Sequence, residues 1–291
     1  MGKKVLNFGS LNYDYVYQVD HIMRPGETQT SKGMETFCGG KGLNQSVALA
    51  KAGCQVYHAG AVGEEGQELL SCLKDDGVDT SFVRRLDGKS GHTIIQVDRD
   101  AQNCIMLYAG ANRRQERAHV DSVLEQFGEG DYLLLQNEIN ELAYIIDRAY
   151  ERGMKVVLNP SPFDAYLKEC DMSKVAVFMM NEIEGREITG EEDPEKILKA
   201  MAKLYPYSEV VLTLGGDGAV YTDYQRTVSQ PIYPVKAVDT TAAGDTFTGY
   251  FIAGLLEGLP MGENLDRCAR ASSITVSRRG AAPSIPLLAE L

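Results

Sequence analysis

The chain has 291 residues, 44% apolar and 24% charged, and its 41 acidic against 29 basic side chains leave a formal net charge of −12. A chain of this size buries roughly three quarters of the surface its unfolded form exposes, so its stability requires neither disulfide nor metal. The acidic balance excludes the polybasic surface by which nonspecific DNA or anionic-membrane binders displace counterions, so no nucleic-acid or membrane partner is expected, and an anionic substrate would need locally positive potential.

The first apolar run, Val5 to Gly9, reads as a strand buried on both faces. Tyr13 to Ile22 alternates apolar and polar residues at period two, as a strand does when one face is wet. Asn44 to Ala52 is helical, Val56 to Val62 a strand and Gly66 to Lys74 a helix. His92 to Asp98 and Cys104 to Tyr108 alternate again, with the polar Arg99 to Asn103 turning between them. Strands follow at Tyr132 to Gln136, Lys155 to Asn159, Val175 to Met180 and Val210 to Leu214, with helices at Leu142 to Arg152 and Pro194 to Leu204. This alternation predicts a doubly wound, mostly parallel α/β sheet. The period-two segments predict an antiparallel flap beside it, and no linker or repeat divides the chain into independent domains.

The six cysteines, at 38, 54, 72, 104, 170 and 268, contain no CxxC pair, which argues against zinc and dithiol chemistry and for reduced thiols in a cytoplasmic protein. His21, His58, His92 and His119 are far apart in sequence and read as ordinary surface or pocket residues. The opening MGKKVLNFG is too short an apolar stretch for a secretory signal, and Leu6 breaks the myristoylation pattern. The longest apolar run, Val175 to Met180, has strand length, far below the ~20 residues a bilayer requires.

Chemistry concentrates in the last third. Asp239 to Thr246 reads DTTAAGDT and runs into FTGYFIAGLLEG, which predicts a helix starting near Ala243 or Gly244 and ending at Gly258. The small residues Ala242, Ala243 and Gly244 would let an anion such as phosphate reach unpaired N–H groups at the positive end of the helix dipole. Asp245, in the first turn, could accept a proton from an attacking hydroxyl, or could merely complement the dipole. FCGGKGLNQSVALAKAG, at 37 to 53, lacks the Walker spacing and no GxGxxG occurs, which disfavours a nicotinamide dehydrogenase. Its glycines could bring backbone to a polar ligand that Asn44 binds, or form a turn with Asn44 as cap. TLGGDG, at 213 to 218, reads as a hairpin turn that could also lie against a nucleotide. NEIE, at 181 to 184, ends a strand where doubly wound sheets bind ligands, with a helix cap as the rival reading of Asn181.

Taken together, GSLNYD (9–14), PGET (25–28), GGKGLNQS (39–46) with Gly53 and Gly63, AGAN (109–112), LNPSP (158–162), NEIE, TLGGDG, DTTAAGDT and RRGAAPS (278–284) resemble, in order and nearly end to end, the ribokinase group of PfkB carbohydrate kinases. The resemblance implies one ribokinase-like three-layer α/β/α sandwich over 1–291, with a small antiparallel β lid formed by segments near 12–38 and 91–109. It implies transfer of the γ-phosphoryl group of ATP to a sugar's primary hydroxyl, with Asp245 as base and Ala242, Ala243 and Gly244 as anion hole. By the same match Asn12, Asp14, Gly40, Lys41, Asn44, Leu107 and Glu138 line the sugar pocket. Asn181, Thr213, Gly215, Gly218, Gly244 and Ala269 would lie along ATP, with Asn181 and Glu184 near the water shell of Mg²⁺. A monovalent cation, K⁺, would be held by Asp239, Thr241, Thr275, Arg278, Gly280 and Ser284. The GGKG and NQ residues point to ribose as acceptor and the lid to a homodimer. Another acceptor (a ketohexose, a fructose phosphate, a nucleoside) or a noncatalytic sugar-binding sensor are the alternatives. Against the family pattern, Tyr250 replaces Ala or Gly, to pack behind the base or reach toward the nucleotide, and Thr241 replaces the usual aliphatic residue, a change of little weight if only its carbonyl binds the cation.

Overall fold

The computed structural model describes residues 3–100, 102–223 and 225–291; Met1 and Gly2 of the opening segment and position 101 of the predicted turn lie outside them. The amino-terminal elements are β1 (Val5–Phe8), β2 (Asn12–Gln18), β3 (Gly33–Gly39), α1 (Lys41–Lys51), β4 (Val56–Val62), α2 (Gln67–Asp75), β5 (Asp79–Arg85), β6 (Gly91–Val97) and β7 (Asn103–Tyr108). Next come α3 (Arg117–Leu124), β8 (Tyr132–Gln136), α4 (Leu142–Glu151), β9 (Lys155–Asn159), β10 (Val177–Asn181), α5 (Glu182–Thr189) and α6 (Pro194–Leu204). The chain closes with β11 (Glu209–Thr213), β12 (Ala219–Thr222), β13 (Thr227–Gln230), α7 (Ala243–Glu257) and α8 (Met261–Val276).

A nine-stranded sheet runs β13-β12-β11-β10-β9-β8-β1-β4-β5. It is parallel from β11 to β5, and the β11-β12 and β12-β13 pairs are antiparallel. Strand residues alternate between two cores. Val5, Leu134, Val157, Met179 and Val211 pack against α1, α2, α7 and α8 on one face. Leu6, Phe8, Leu133, Leu135, Phe178 and Leu212 pack against α3, α4 and α6 on the other. Burial on both faces explains the continuous apolar runs and produces the three-layer α/β/α sandwich. Among the described residues no helix is long and apolar enough to cross a membrane.

The period-two segments form a second sheet, β3-β2-β6-β7. Its outer pairs are antiparallel and its central β2-β6 pair is parallel. Strand β3, which periodicity did not mark, completes it: every residue of Gly33–Thr36 is exposed, so no apolar stripe betrays it. The edge strand β5 and helices α3, α5 and α8 likewise went unmarked. Strand β10 begins at Val177 rather than Val175, because Met172–Lys174 forms a short 3₁₀ turn immediately before it.

Helix α1 begins at Lys41, earlier than its periodicity predicts, because tertiary contacts rather than propensity start it. Gly40 takes φ +91°, and a Cβ on Gly42 would lie 2.3 Å from the Ser10 amide nitrogen. Leu43 N–H donates to Ser10 O at 2.9 Å. Farther along, α1 lies against α7, where a Cβ on Gly249 would come within 2.5 Å of Ala48 Cβ and 2.8 Å of Leu49 N. Gly249→Ala should therefore cost about 1–3 kcal/mol of stability by forcing these helices apart. Urea denaturation checks this, and a loss under about 0.5 kcal/mol would show that the contact yields freely.

Candidate active site

The carboxyl ends of β9, β10 and β11 and the amino ends of α1 and α7 open onto one cavity of about 230 Å³. Lys41, Asn159, Ser161, Met180, Asn181, Glu184, Thr213, Thr240, Ala242, Ala243, Gly244, Asp245 and Thr248 line it. A larger, shallow depression elsewhere is lined by Gln230, Leu259, Asp266, Arg267 and Arg270. Its Arg267 pairs with Glu257 at 2.8 Å and Arg270 with Asp266 at 2.8 Å; the smaller cavity is where Lys41, Asp245, Glu184 and the start of α7 converge at strand ends.

Helix α7 starts where the sequence placed it. Ala242 precedes it in the left-handed region at φ 62° and contributes its carbonyl to Thr246 N and Thr246 Oγ1, both at 2.8 Å. The Ala243 amide makes only a long 3.4 Å contact to Thr240 O. Nothing lies within 4 Å of where a Cβ on Gly244 would stand, so the helix start faces open space, as a cradle for a bulky anion requires. Asp245, 8% exposed, has each carboxylate oxygen held: Asn44 Nδ2 donates to Oδ2 at 3.0 Å and Gln45 Nε2 to Oδ1 at 2.9 Å.

Lys41 supplies the local positive charge that the chain as a whole lacks. Burial works to lower its pKa, yet the carboxylates of Asp245, Glu138 and Glu184 outweigh it and raise the pKa, so the ammonium stays charged. Glu138 accepts from Ser10 Oγ and, at 3.1 Å, from the Lys41 amide. Its pKa is raised, chiefly by burial. Burial also pushes Asp14 up to about 6, against the opposing hydrogen bond from Thr93 Oγ1 and with Glu138 and Asp245 adding repulsion.

The lid carries Asp14 into this field. Phe37, Asp14, Thr93 and Leu107 share one cross-strand row, and a Cβ on Gly39 would sit 2.0 Å from Asp14 Oδ2. Asn12, 1% exposed, accepts from Asn112 Nδ2 at 2.7 Å, and Gly40 lies against its backbone and amide. Of the predicted sugar residues Asp14, Gly40, Asn44 and Glu138 thus lie beside Lys41 or Asp245, and Asn12 beside Gly40. Only Lys41 and Asp245 of that set line the cavity itself, and Leu107 stands two strands beyond Asp14, exposed.

On the opposite wall Asn181 caps α5 in a full capping box, so the cap reading holds. Glu184 Oε2 accepts the Asn181 amide at 2.7 Å while still lining the cavity. Thr213 lines the cavity too, but Gly215 and Gly218 form the β11-β12 turn, and Gly215, Gly218 and Ala269 are not in the lining. Asp239 Oδ2 accepts the Gly280 amide at 3.1 Å, and the amides of Val238 and Asp239 donate to Val276 O, so the two predicted cation loops meet. Thr275 Oγ1 bonds Thr246 Oγ1 at 3.0 Å and Ser284 Oγ donates to Ala281 O. The Arg278 guanidinium instead pairs with Glu290 at 2.7 Å, which leaves this residue only its backbone for a cation. Thr241 Oγ1 donates to Asp239 Oδ1 at 2.6 Å, so its side chain fastens that carboxylate. Tyr250 is fully buried in the core, its hydroxyl donating to Pro286 O at 2.9 Å, and does not line the cavity. Among the described residues no three His, Cys, Asp or Glu side chains converge on a metal position, and the cysteines are free thiols.

The profile of the pfkB family carbohydrate kinases matches residues 3–288. The chain belongs to the PfkB family of carbohydrate kinases. This kinase is 34% identical to a Schizosaccharomyces pombe ribokinase over 307 aligned positions, covering 99% of this chain and 96% of that one. It is 32% identical to a Haemophilus influenzae ribokinase, covering 98% and 96%. Among solved structures it is similar to an Arabidopsis thaliana ribokinase complexed with ribose and ATP, with TM-score 0.89, 30% identity and coverage of 99% and 97%.

Sequence reasoning missed several partners. Gln45 stands in the GGKGLNQS motif, Asn112 in AGAN and Ser10 in GSLNYD, yet none of the three was assigned a contact, and Gln136, at the end of an apolar strand, gave no local sign. His58 is a correction. It is fully buried rather than at the surface or in a pocket, and burial pushes its pKa down to about 4. The unfolded chain takes up that proton near pH 6.5 and the folded kinase does not, so stability should fall between about pH 6.5 and 4. Thermal melts across that window check the slope, which should flatten in His58→Asn; an unchanged slope would place the titration elsewhere.

Proposed function

We propose that this kinase transfers the γ-phosphoryl group of ATP to the primary hydroxyl of a pentose, D-ribose foremost, giving D-ribose 5-phosphate. The observation that carries it is the Asp245 carboxylate, turned into the cavity beside the open amino end of α7 with Lys41 opposite. Asp245 accepts the hydroxyl proton as that oxygen bonds to the γ-phosphorus, and the bond to the bridging oxygen of ADP breaks. The amides at Ala242, Ala243 and Gly244 and the Lys41 ammonium meet the charge on the transferred group. Asn12, Asp14, Gly40, Asn44 and Glu138 bind sugar hydroxyls, and Leu107 covers the ring's apolar edge. Asn181, Thr213, Gly215, Gly218 and Ala269 flank the nucleotide. The similarity to ribokinases, and the ribose and ATP with which the Arabidopsis enzyme is complexed, support ribose as acceptor.

Asn181 and Glu184 suit Mg²⁺ held through water, since Glu184 lines the cavity with both oxygens already accepting from Asn181. Bound with ATP, Mg²⁺ would neutralise phosphate charge. The oxygen donors of Asp239, Thr241, Thr275, Arg278, Gly280 and Ser284, mostly carbonyls, suit K⁺ beside the α7 loop. We read 1–291 as one kinase domain with the second sheet as its lid. Exposed Met34, Ile105, Met106 and Tyr108 on that sheet support a homodimer through it, and the free cysteines support a cytoplasmic setting.

Asp245→Asn should lower turnover ~10²-fold or more while sparing sugar affinity. Coupled ADP release with ribose, another pentose, a ketohexose, fructose phosphate and a nucleoside checks both the base and the acceptor. Near-normal turnover in that variant removes Asp245 from the role, and a preferred acceptor other than ribose replaces the substrate. Because Asp14 titrates at about 6, protonation below that pH removes an acceptor from the sugar hydroxyls. The KM for ribose should climb as pH falls from 7 to 5 while kcat changes less, and Asp14→Asn should abolish this dependence.

A further inference from the structure

Behind Asp245 a run of buried polar side chains crosses the interior from α1 through β8 and β1 to β4. Gln45, Gln136, Asn7, Ser46 and His58 are all 0–1% exposed, and none lines the cavity. Gln45 Nε2 donates to Asp245 Oδ1 at 2.9 Å and to Asn159 Oδ1 at 3.2 Å. Gln136 Nε2 donates to Gln45 Oε1 at 2.6 Å and to Asn7 Oδ1 at 3.0 Å. Asn7 Nδ2 donates to Ser46 Oγ at 2.9 Å, Ser46 Oγ lies 2.8 Å from His58 Nδ1, and His58 Nε2 lies 3.3 Å from Gly9 O.

The direction of every donor in this run follows from its two ends. Backbone carbonyls only accept. Gly9 O therefore requires the proton on His58 Nε2, leaving Nδ1 to accept from Ser46, whose oxygen then accepts from Asn7. At the other end Asn159 Nδ2 donates to Met179 O at 2.8 Å, which turns its Oδ1 toward Gln45. Gln45 must then present its NH₂ to Asn159 and Asp245, and its oxygen to Gln136. Reversing the Gln136 amide would set oxygen against the oxygens of Asn7 and Gln45. It is held this way even though its own Oε1 is buried without a partner, a cost of about 1–3 kcal/mol that an apolar side chain would avoid.

We propose that Gln45 is a positioning residue for phosphoryl transfer: it fixes the plane of the Asp245 carboxylate through an amide whose polarity Asn159 sets and whose oxygen the Gln136-Asn7-Ser46-His58 run holds in place. The proposal rests on the reading of Asp245 as the base. With Asn44 on Oδ2 and Gln45 on Oδ1, the carboxylate cannot turn about its last torsion, and its remaining lone pairs keep one aim. A carboxylate free to turn would still leave the sugar and nucleotide contacts in place, so the loss should fall on kcat rather than KM.

The experiment measures kcat, KM and ATP-independent ribose affinity for Gln45→Met, Gln136→Met, Asp245→Asn and the Gln45→Met/Asp245→Asn double variant, with circular dichroism to establish folding. Gln45→Met should lower kcat about tenfold with KM and ribose affinity within about twofold. Gln136→Met touches neither Asp245 nor the cavity, but removes the donor that anchors the Gln45 oxygen, so the Gln45 side chain can shift away from Asp245; it should give a kcat-selective loss of about threefold or more and carries the test should Gln45→Met not fold. In the Asp245→Asn background Gln45→Met should cost nothing further, because the group it aims is gone. The proposal is overturned if folded Gln45→Met or Gln136→Met keeps kcat within twofold, if KM bears the loss, or if the loss recurs in full in the Asp245→Asn background. Near-normal turnover by Asp245→Asn alone is a separate result that rejects the base reading, and the positioning role with it.

Discussion

A nearly buried carboxylate at the start of a helix is the constraint around which this molecule is organised. Asp245 can stay there because two amides from α1 donate to it, and α1 can bring them only because α1 and α7 approach over Gly249 and Ala48 with no room for another methyl. The same approach requires α1 to begin hard against the loop after β1, where Gly42 meets Ser10. Backbone packing over glycine thus sets side-chain chemistry two steps away.

Charge explains the rest of the site. Asp14, Glu138, Glu184 and Asp245 crowd a protein already at −12, and their mutual repulsion with burial raises the pKa of Asp14 and Glu138. Lys41 and the amino end of α7 are the counterweight, a patch of positive potential in a negative molecule. Neutral amides rather than cations donate to Asp245 itself, which orients the carboxylate without a direct ion pair.

The second sheet supplies what the main sheet cannot. Strand ends in a doubly wound sheet present loops to a ligand from below, whereas Asp14 approaches Glu138 and Asp245 from β2, on a separate sheet whose row runs on through Thr93 to Leu107. Asn112 and Ser10 tie that sheet's base to the core through Asn12 and Glu138, so the pocket's polar groups are held from both sides.

Much of this was legible in the chain. Continuous apolar runs marked the buried parallel strands, period two marked β2, β6 and β7, and small residues before Asp245 marked the start of α7, because each of those signals is local. Ordered motifs also marked the family. The edge elements β3 and β5 lacked contrast between faces, so no pattern announced them. Gln45, Gln136, Asn7 and His58 are spread over 129 positions and carry no common spacing; only folding sets them in one file. Sequence by itself determined the layers, the site's end of the sheet and the residue types able to move a proton and hold phosphate. Tertiary structure alone decided which amide faces which oxygen, since hydrogen-bond direction depends on neighbours that the sheet order, not the chain order, brings together.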